Sequence, residues 1–215
     1  MQRKLLAEAL GSMLLSATVV GSGIMAEQLS VGNTALALLA NTLATAAALV
    51  TLIALFAPIS GGHFNPVVSI SLALLGKHTW KEMLAYSMTQ VLFCCAGCLL
   101  AHGMFGLPLI QVATHARTGM AQWLAEVVAT AGLLLVVLGH RRAEAAPWMV
   151  AGWITAAYWF TSSTSFANPA ITIARSLTNS FSGIRMQDVL GFIIAQCTGA
   201  LLATLLSKYL FDNKA

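Results

Sequence analysis

The sequence predicts an all-α membrane protein: six transmembrane helices plus two re-entrant half-helices in an inverted 3+3 repeat. Three observations predict it. The 215 residues are 58% hydrophobic and only 8% charged, whereas soluble domains carry roughly 25% charged residues; lipid is the solvent that tolerates such a composition. Six segments are long and apolar enough to span, over about residues 5–26, 35–57, 82–103, 121–139, 147–163 and 187–208. Two more, about 65–75 and 168–178, are apolar but too short to cross, and each opens on Asn-Pro.

The first span, in "MQRKLLAEALGSMLL", has the basic start of a signal peptide. Glu8 interrupts its apolar run and further spans follow, so it reads as a first helix that stays in the membrane. The third span carries Cys94, Cys95 and Cys98, with Cys197 in the last span. These read as small packing residues between helices, with no metal and no disulfide framework. From Ala145 to Ala174 the chain holds no Asp, Glu, Lys or Arg. In both short segments Asn is a helix N-cap and Pro suits the first helical position, so each is half a helix that starts at an unusual depth.

Lys and Arg placement sets the orientation. With both termini cytoplasmic, Arg3, Lys4, Lys77, Lys81, Arg141, Arg142, Lys208 and Lys214 lie inside, and Arg117, Arg175 and Arg185 outside. The net charge of +4 is small and shows no basic stripe, which excludes a nucleic-acid partner. The single domain of residues 1–215 divides into repeats over about 1–110 and 115–215. Glu8 opens "LLAEALGSMLL" and Glu126 opens "WLAEVVATAGLLL"; "HFNPVVSIS" matches "FANPAITIA"; Gln90 matches Gln196. Three spans per half give the halves opposite topology.

Non-helical backbone at membrane depth is tolerated only inside protein or beside a watery cavity. Two half-helices entering from opposite faces bring their N-termini together near the midplane. Each N-terminus carries about half a positive charge, a barrier to cations and protons. Asn65 and Asn168 cap their own helices through the side-chain carbonyl and offer NH₂ donors to a passing solute. That device passes neutral hydrogen-bonding molecules and rejects charge.

On these residues the chain resembles the aquaporin, or major intrinsic protein, family. "AEALGS", "SGGHFNPVVS", "SFANPA" and "QCTGA" stand where that family has its motifs, and the likeness covers nearly the whole chain. The resemblance implies a passive channel in the plasma (inner) membrane, a homotetramer with one pore per subunit, no cofactor and no enzyme activity. It makes Asn65-Pro66-Val67 and Asn168-Pro169-Ala170 the pore motifs, Glu8 and Glu126 the braces of the two loops, and Gly61, Gly62 and His63 the cytoplasmic lining. A pH gate at His63 and a loop-stabilising neutral His are both open, the second favoured.

Two departures matter. Val67 replaces Ala, which either repacks the contact between the half-helices or shifts the constriction. Ile171 stands where the family usually has Arg. Carrying over the other filter places by offset gives Thr45, Ala156 and Ser165, a wide, uncharged constriction with Ile171. Such a filter favours solutes larger than water: glycerol, urea, ammonia and neutral metalloid hydroxides such as arsenous acid. Arg175, four residues on, shares the face of Ile171. It is either a displaced cation at the outer mouth or a C-terminal Arg that meets free carbonyls or snorkels outward. A water-selective channel and an ion-coupled secondary transporter are the alternatives, the latter because transporters also use inverted repeats and broken helices.

Overall fold

A computed structural model describes residues 1–140 and 142–211 of the chain. Arg141 and Lys214 of the charge count lie outside the described residues. The elements are α1 (Gln2–Leu29), α2 (Thr34–Ser60), α3 (Pro66–Leu74), α4 (Trp80–Met104), α5 (Met120–Gly139), a 3-10 turn (Ala143–Ala145), α6 (Ala146–Phe160), α7 (Pro169–Arg175) and α8 (Met186–Phe211).

Among the described residues, five helices are long and apolar enough to cross a membrane. The sixth, α6, has 15 residues and rises about 22 Å at 1.5 Å per residue, against about 30 Å of hydrocarbon. It stops at Phe160, earlier than its composition suggests. Thr161 is extended, and Thr164, Ser165 and Ala167 take positive φ as the chain turns back toward α7. Exposed Leu14, Leu43, Leu92, Val128, Leu201 and Leu205 on the long helices face outward, as lipid contact requires. This is an integral membrane protein with six spans and two re-entrant half-helices.

The packing repeats itself. α1 lies on α4 as α5 lies on α8, α1 on α2 as α5 on α6, and α4 on α7 as α8 on α3. Glycine permits the closest pairs. A Cβ on Gly97 would overlap the Met13 carbonyl of α1, and one on Gly199 would overlap the Val127 carbonyl of α5. A Cβ on Gly11 would collide with the Phe64 ring, so this glycine seats the first re-entrant loop against α1.

Both half-helices begin as their sequences predict. Asn65 (φ −153°) and Asn168 (φ −157°) are extended N-caps, each followed by Pro. Asn65 Oδ1 accepts from Val67 N at 3.2 Å; Asn168 Oδ1 accepts from Ala170 N at 3.0 Å and Ile171 N at 3.3 Å. Such caps contribute about 1 kcal/mol each. Before each Asn stands a non-glycine residue with left-handed backbone, Phe64 (φ 48°) and Ala167 (φ 47°). That conformation costs about 1–3 kcal/mol per residue and needs support from its surroundings.

Candidate functional site

The two buried carboxylates supply that support. Glu8 Oε1 accepts from Ser60 Oγ (2.6 Å) and His63 N (3.0 Å), and its Oε2 from Phe64 N (2.8 Å) and Gln90 Nε2 (2.8 Å). Glu126 Oε1 accepts from Phe166 N (2.9 Å), and its Oε2 from Ala167 N (2.9 Å) and Gln196 Nε2 (2.6 Å). Neither side chain is exposed. The donors around Glu126 are all N–H groups. Charge-assisted bonds of this kind contribute about 1.5–3 kcal/mol each, which outweighs the strain at Phe64 and Ala167. Each Gln also donates to a hydroxyl on its half-helix, Gln90 to Ser69 Oγ (3.2 Å) and Gln196 to Thr172 Oγ1 (2.9 Å). Ser69 and Thr172 escape sequence reading because single hydroxyls in apolar helices are common.

The loops are tied to each other at the centre. Asn65 Nδ2 donates to Ala167 O at 2.8 Å, and Asn168 Nδ2 donates to Phe64 O at 2.8 Å. One hydrogen of each amide is therefore committed to the opposite loop, and the other is left for the lumen. This corrects the picture of two wholly free donors.

A cavity of about 440 Å³ runs past this pair. At the α3 end it is lined by Gly61, Gly62, His63, Lys77 and His140, in the middle by Asn65 and Asn168, and at the α7 end by Thr45, Tyr158, Ser165, Ile171 and Arg175. Gly61 (φ 93°) and Gly62 (φ 61°) adopt left-handed backbone that end α2 and turn the chain into the loop. The His63 ring rests against His78 and Tyr86, centroids 5.0 and 5.1 Å away, and its Nδ1 lies 3.0 Å from Ser69 Oγ. Val67 is fully buried in the apolar core and absent from the lining; its methyl groups repack the contact.

Ala156 requires correction. It is exposed on the outer face of α6, while Val150, Ile154 and Tyr158 line the cavity. Those three follow the four-residue step of one helical face, and Ala156 sits about 200° around the helix from Ile154. Carrying positions over by offset slips the register of this helix by two residues. Tyr158 brings its hydroxyl within 3.3 Å of Thr45 Oγ1.

The uncharged constriction also requires correction, because Arg175 is among the residues that line this end of the cavity. This side chain is 2% exposed and lies over the Phe166 ring, 3.4 Å from its centroid. Its Nε donates to Ser182 O. It does not snorkel outward; it meets a carbonyl of the loop that follows its helix. Arg117, from the α4–α5 loop, approaches the same ring at 5.0 Å. It donates to Gly183 O (2.8 Å), Ser163 O (3.2 Å) and Phe181 O (3.3 Å). Burial pushes its pKa down to about 10, so it stays cationic at neutral pH. Arg117 is the lone Asp, Glu, Lys or Arg between residues 83 and 125, a signal that pointed to it. Its partners, 46 and more residues away, gave none.

Two half-helices meeting N-terminus to N-terminus beside a continuous lumen, inside six spans, define a membrane channel. The chain belongs to the major intrinsic protein family: that family's sequence model matches residues 1–147 and again 141–215. It is 53% identical to aquaglyceroporin AqpS of Rhizobium meliloti (strain 1021) over 214 residues, 98% of this chain and 91% of that one. Aquaporin AqpM of Methanothermobacter marburgensis is 33% identical over 168 residues, 71% of this chain and 68% of its own. In fold the chain is similar to the aquaglyceroporin of Plasmodium falciparum, with a TM-score of 0.76, 20% identity, and coverage of 98% of this chain and 96% of that one. It is a channel for water and small solutes.

Proposed function

We propose that the channel passes glycerol, urea and neutral metalloid hydroxides such as arsenous acid as well as water, by passive diffusion. The observation that carries this reading is Ile171 in the lining after the second Asn-Pro-Ala, with Thr45 and Ser165 beside the same lumen. Short and aliphatic side chains at these places leave room for a carbon-bearing solute. The 53% identical relative is named an aquaglyceroporin, which supports glycerol as a substrate. Glu8 and Glu126 are held by loop N–H groups, so neither is a free midplane carboxylate to couple ion flow, and the transporter reading loses its support. In this reading Gly61, Gly62 and His63 face the cytoplasm, the Arg175 end faces outward, and four chains assemble in the inner membrane.

Stopped-flow light scattering on proteoliposomes tests the proposal. Glycerol and urea flux should exceed that of empty liposomes and rise linearly with the gradient. Water flux without glycerol or urea flux would sink the wide-filter reading, and saturable flux driven by an ion gradient would restore the transporter.

A further inference from the structure

The two re-entrant loops are braced alike but built differently. The first spans residues 61–65 between α2 and α3, the second residues 161–168 between α6 and α7. In the first, Gly61 and Gly62 take most of the left-handed backbone, which glycine adopts without a clash. In the longer second loop, Thr164 (φ 60°) and Ser165 (φ 51°) take it as well as Ala167. Glu126 holds the N–H groups of Phe166 and Ala167 only. The strain at Thr164 and Ser165 needs a second support.

Arg117 supplies that support from the α4–α5 loop. Its Nη1 donates to Ser163 O at 3.2 Å and to Thr164 Oγ1 at 3.5 Å. Its other nitrogens donate to Phe181 O (3.3 Å) and Gly183 O (2.8 Å), in the stretch after α7. One guanidinium thus holds the chain on both sides of the half-helix. Its own backbone is fixed too: Arg117 N donates to Asp188 Oδ2 on α8 at 2.8 Å, and the same oxygen accepts from Arg185 Nε at 3.0 Å. Among the described residues the Arg117 side chain meets no carboxylate, so backbone carbonyls are its main partners. Only a planar fork with several donors can span these segments at once. Ser165 and Phe166 line the lumen, and Arg117 is not in the lining. It acts from behind the wall, through the loop.

We propose that Arg117 is a positioning residue for permeation: it fixes the loop that walls the α7 end of the lumen and so sets how sharply the channel discriminates solutes by size. Ile171 is aliphatic and cannot tie this loop. Released from Arg117, residues 163–165 are free to leave the left-handed region, and Ser165 and Phe166 no longer present a fixed edge. The proposal rests on the chain being a channel and holds whichever solute it passes.

Proteoliposomes carrying the full chain test it by stopped flow with water, glycerol, erythritol, xylitol and sorbitol. In Arg117→Met, the flux of the smallest polyol that the wild type excludes should rise about tenfold relative to water, the effect of one hydrogen bond to a charged group. Arg117→Lys should show the same rise, because a compact ammonium cannot span the segments that the fork joins. Hydrogen exchange of the purified chain should speed up at residues 163–166 in both variants and stay as in the wild type at residues 61–65. If all fluxes fall by a common factor and the polyol-to-water ratio stays unchanged or drops, Arg117 serves stability alone and the proposal is overturned. A wild-type ratio in Arg117→Lys would make charge, not the clamp, the active feature and overturn it as well; that variant decides the matter if Arg117→Met does not fold. Where the wild type excludes glycerol itself, the wide-filter reading fails and the rise is read at glycerol, so the two readings are tested apart.

Discussion

Replacing Glu126 by Gln keeps the size of the side chain and exchanges one acceptor for a donor. The site holds three donors, Phe166 N, Ala167 N and Gln196 Nε2, at 2.9, 2.9 and 2.6 Å. A single amide oxygen can serve two of them, and the new NH₂ then faces the third. One buried N–H left unpaired costs about 1–3 kcal/mol, and each remaining bond loses about 1 kcal/mol of charge assistance. Gln196 offers no net relief: its Oε1 has no partner, but turning that amide over to accept from the new NH₂ gives up its donation to Thr172 Oγ1. The net loss is about 4 kcal/mol. For a chain of this size that lowers Tm by about 8–16 °C, measured as thermal unfolding of the purified protein in detergent. Water flux should fall with it, because Ala167 (φ 47°) loses the bond that holds its strained backbone. A Tm within about 2 °C of the wild type, with water flux unchanged, would refute the bracing argument.

Gly97→Ala and Gly199→Ala each force a methyl group into a facing carbonyl, Met13 O or Val127 O. Each should destabilise by about 1–3 kcal/mol or more, seen as loss of the monodisperse peak on size-exclusion chromatography. Asn168→Ala removes two cap bonds and the tie to Phe64 O; a loss of about 2–4 kcal/mol is expected, with water and glycerol flux both reduced in proteoliposomes. Ile171→Arg places a second guanidinium one turn before Arg175, and glycerol flux should fall more than water flux in the same stopped-flow assay.

The parts of the molecule that depend on local chemistry could be read from the sequence. Asn-Pro announces a helix start wherever it stands, and two such starts in matching halves imply the meeting of α3 and α7. Glu8 and Glu126 were visible as charges in apolar runs. Other features depend on where a loop travels, and local patterns are silent there. Ala156 was misplaced because nothing in an uncharged, evenly apolar α6 marks which face turns inward. Arg175 joins the cavity lining because residues 176–184 fold back to present Ser182 O and because Phe166 provides a ring to lie on. The second task of each Asn amide, bonding the opposite loop, was hidden by a separation of 102 and 104 residues.

That separation bears on how the protein is made. A chain emerging from its N-terminus completes α1 to α4 well before Ala167 exists. Through that interval the Asn65 amide and the Phe64 carbonyl await partners not yet synthesised, and the first half resides in the bilayer as an unfinished body whose central polar groups depend on water. The last fifty or so residues then close the lumen in one step, because α7 brings both missing partners together. A nascent chain halted before residue 167 accordingly lacks both partners of these central polar groups.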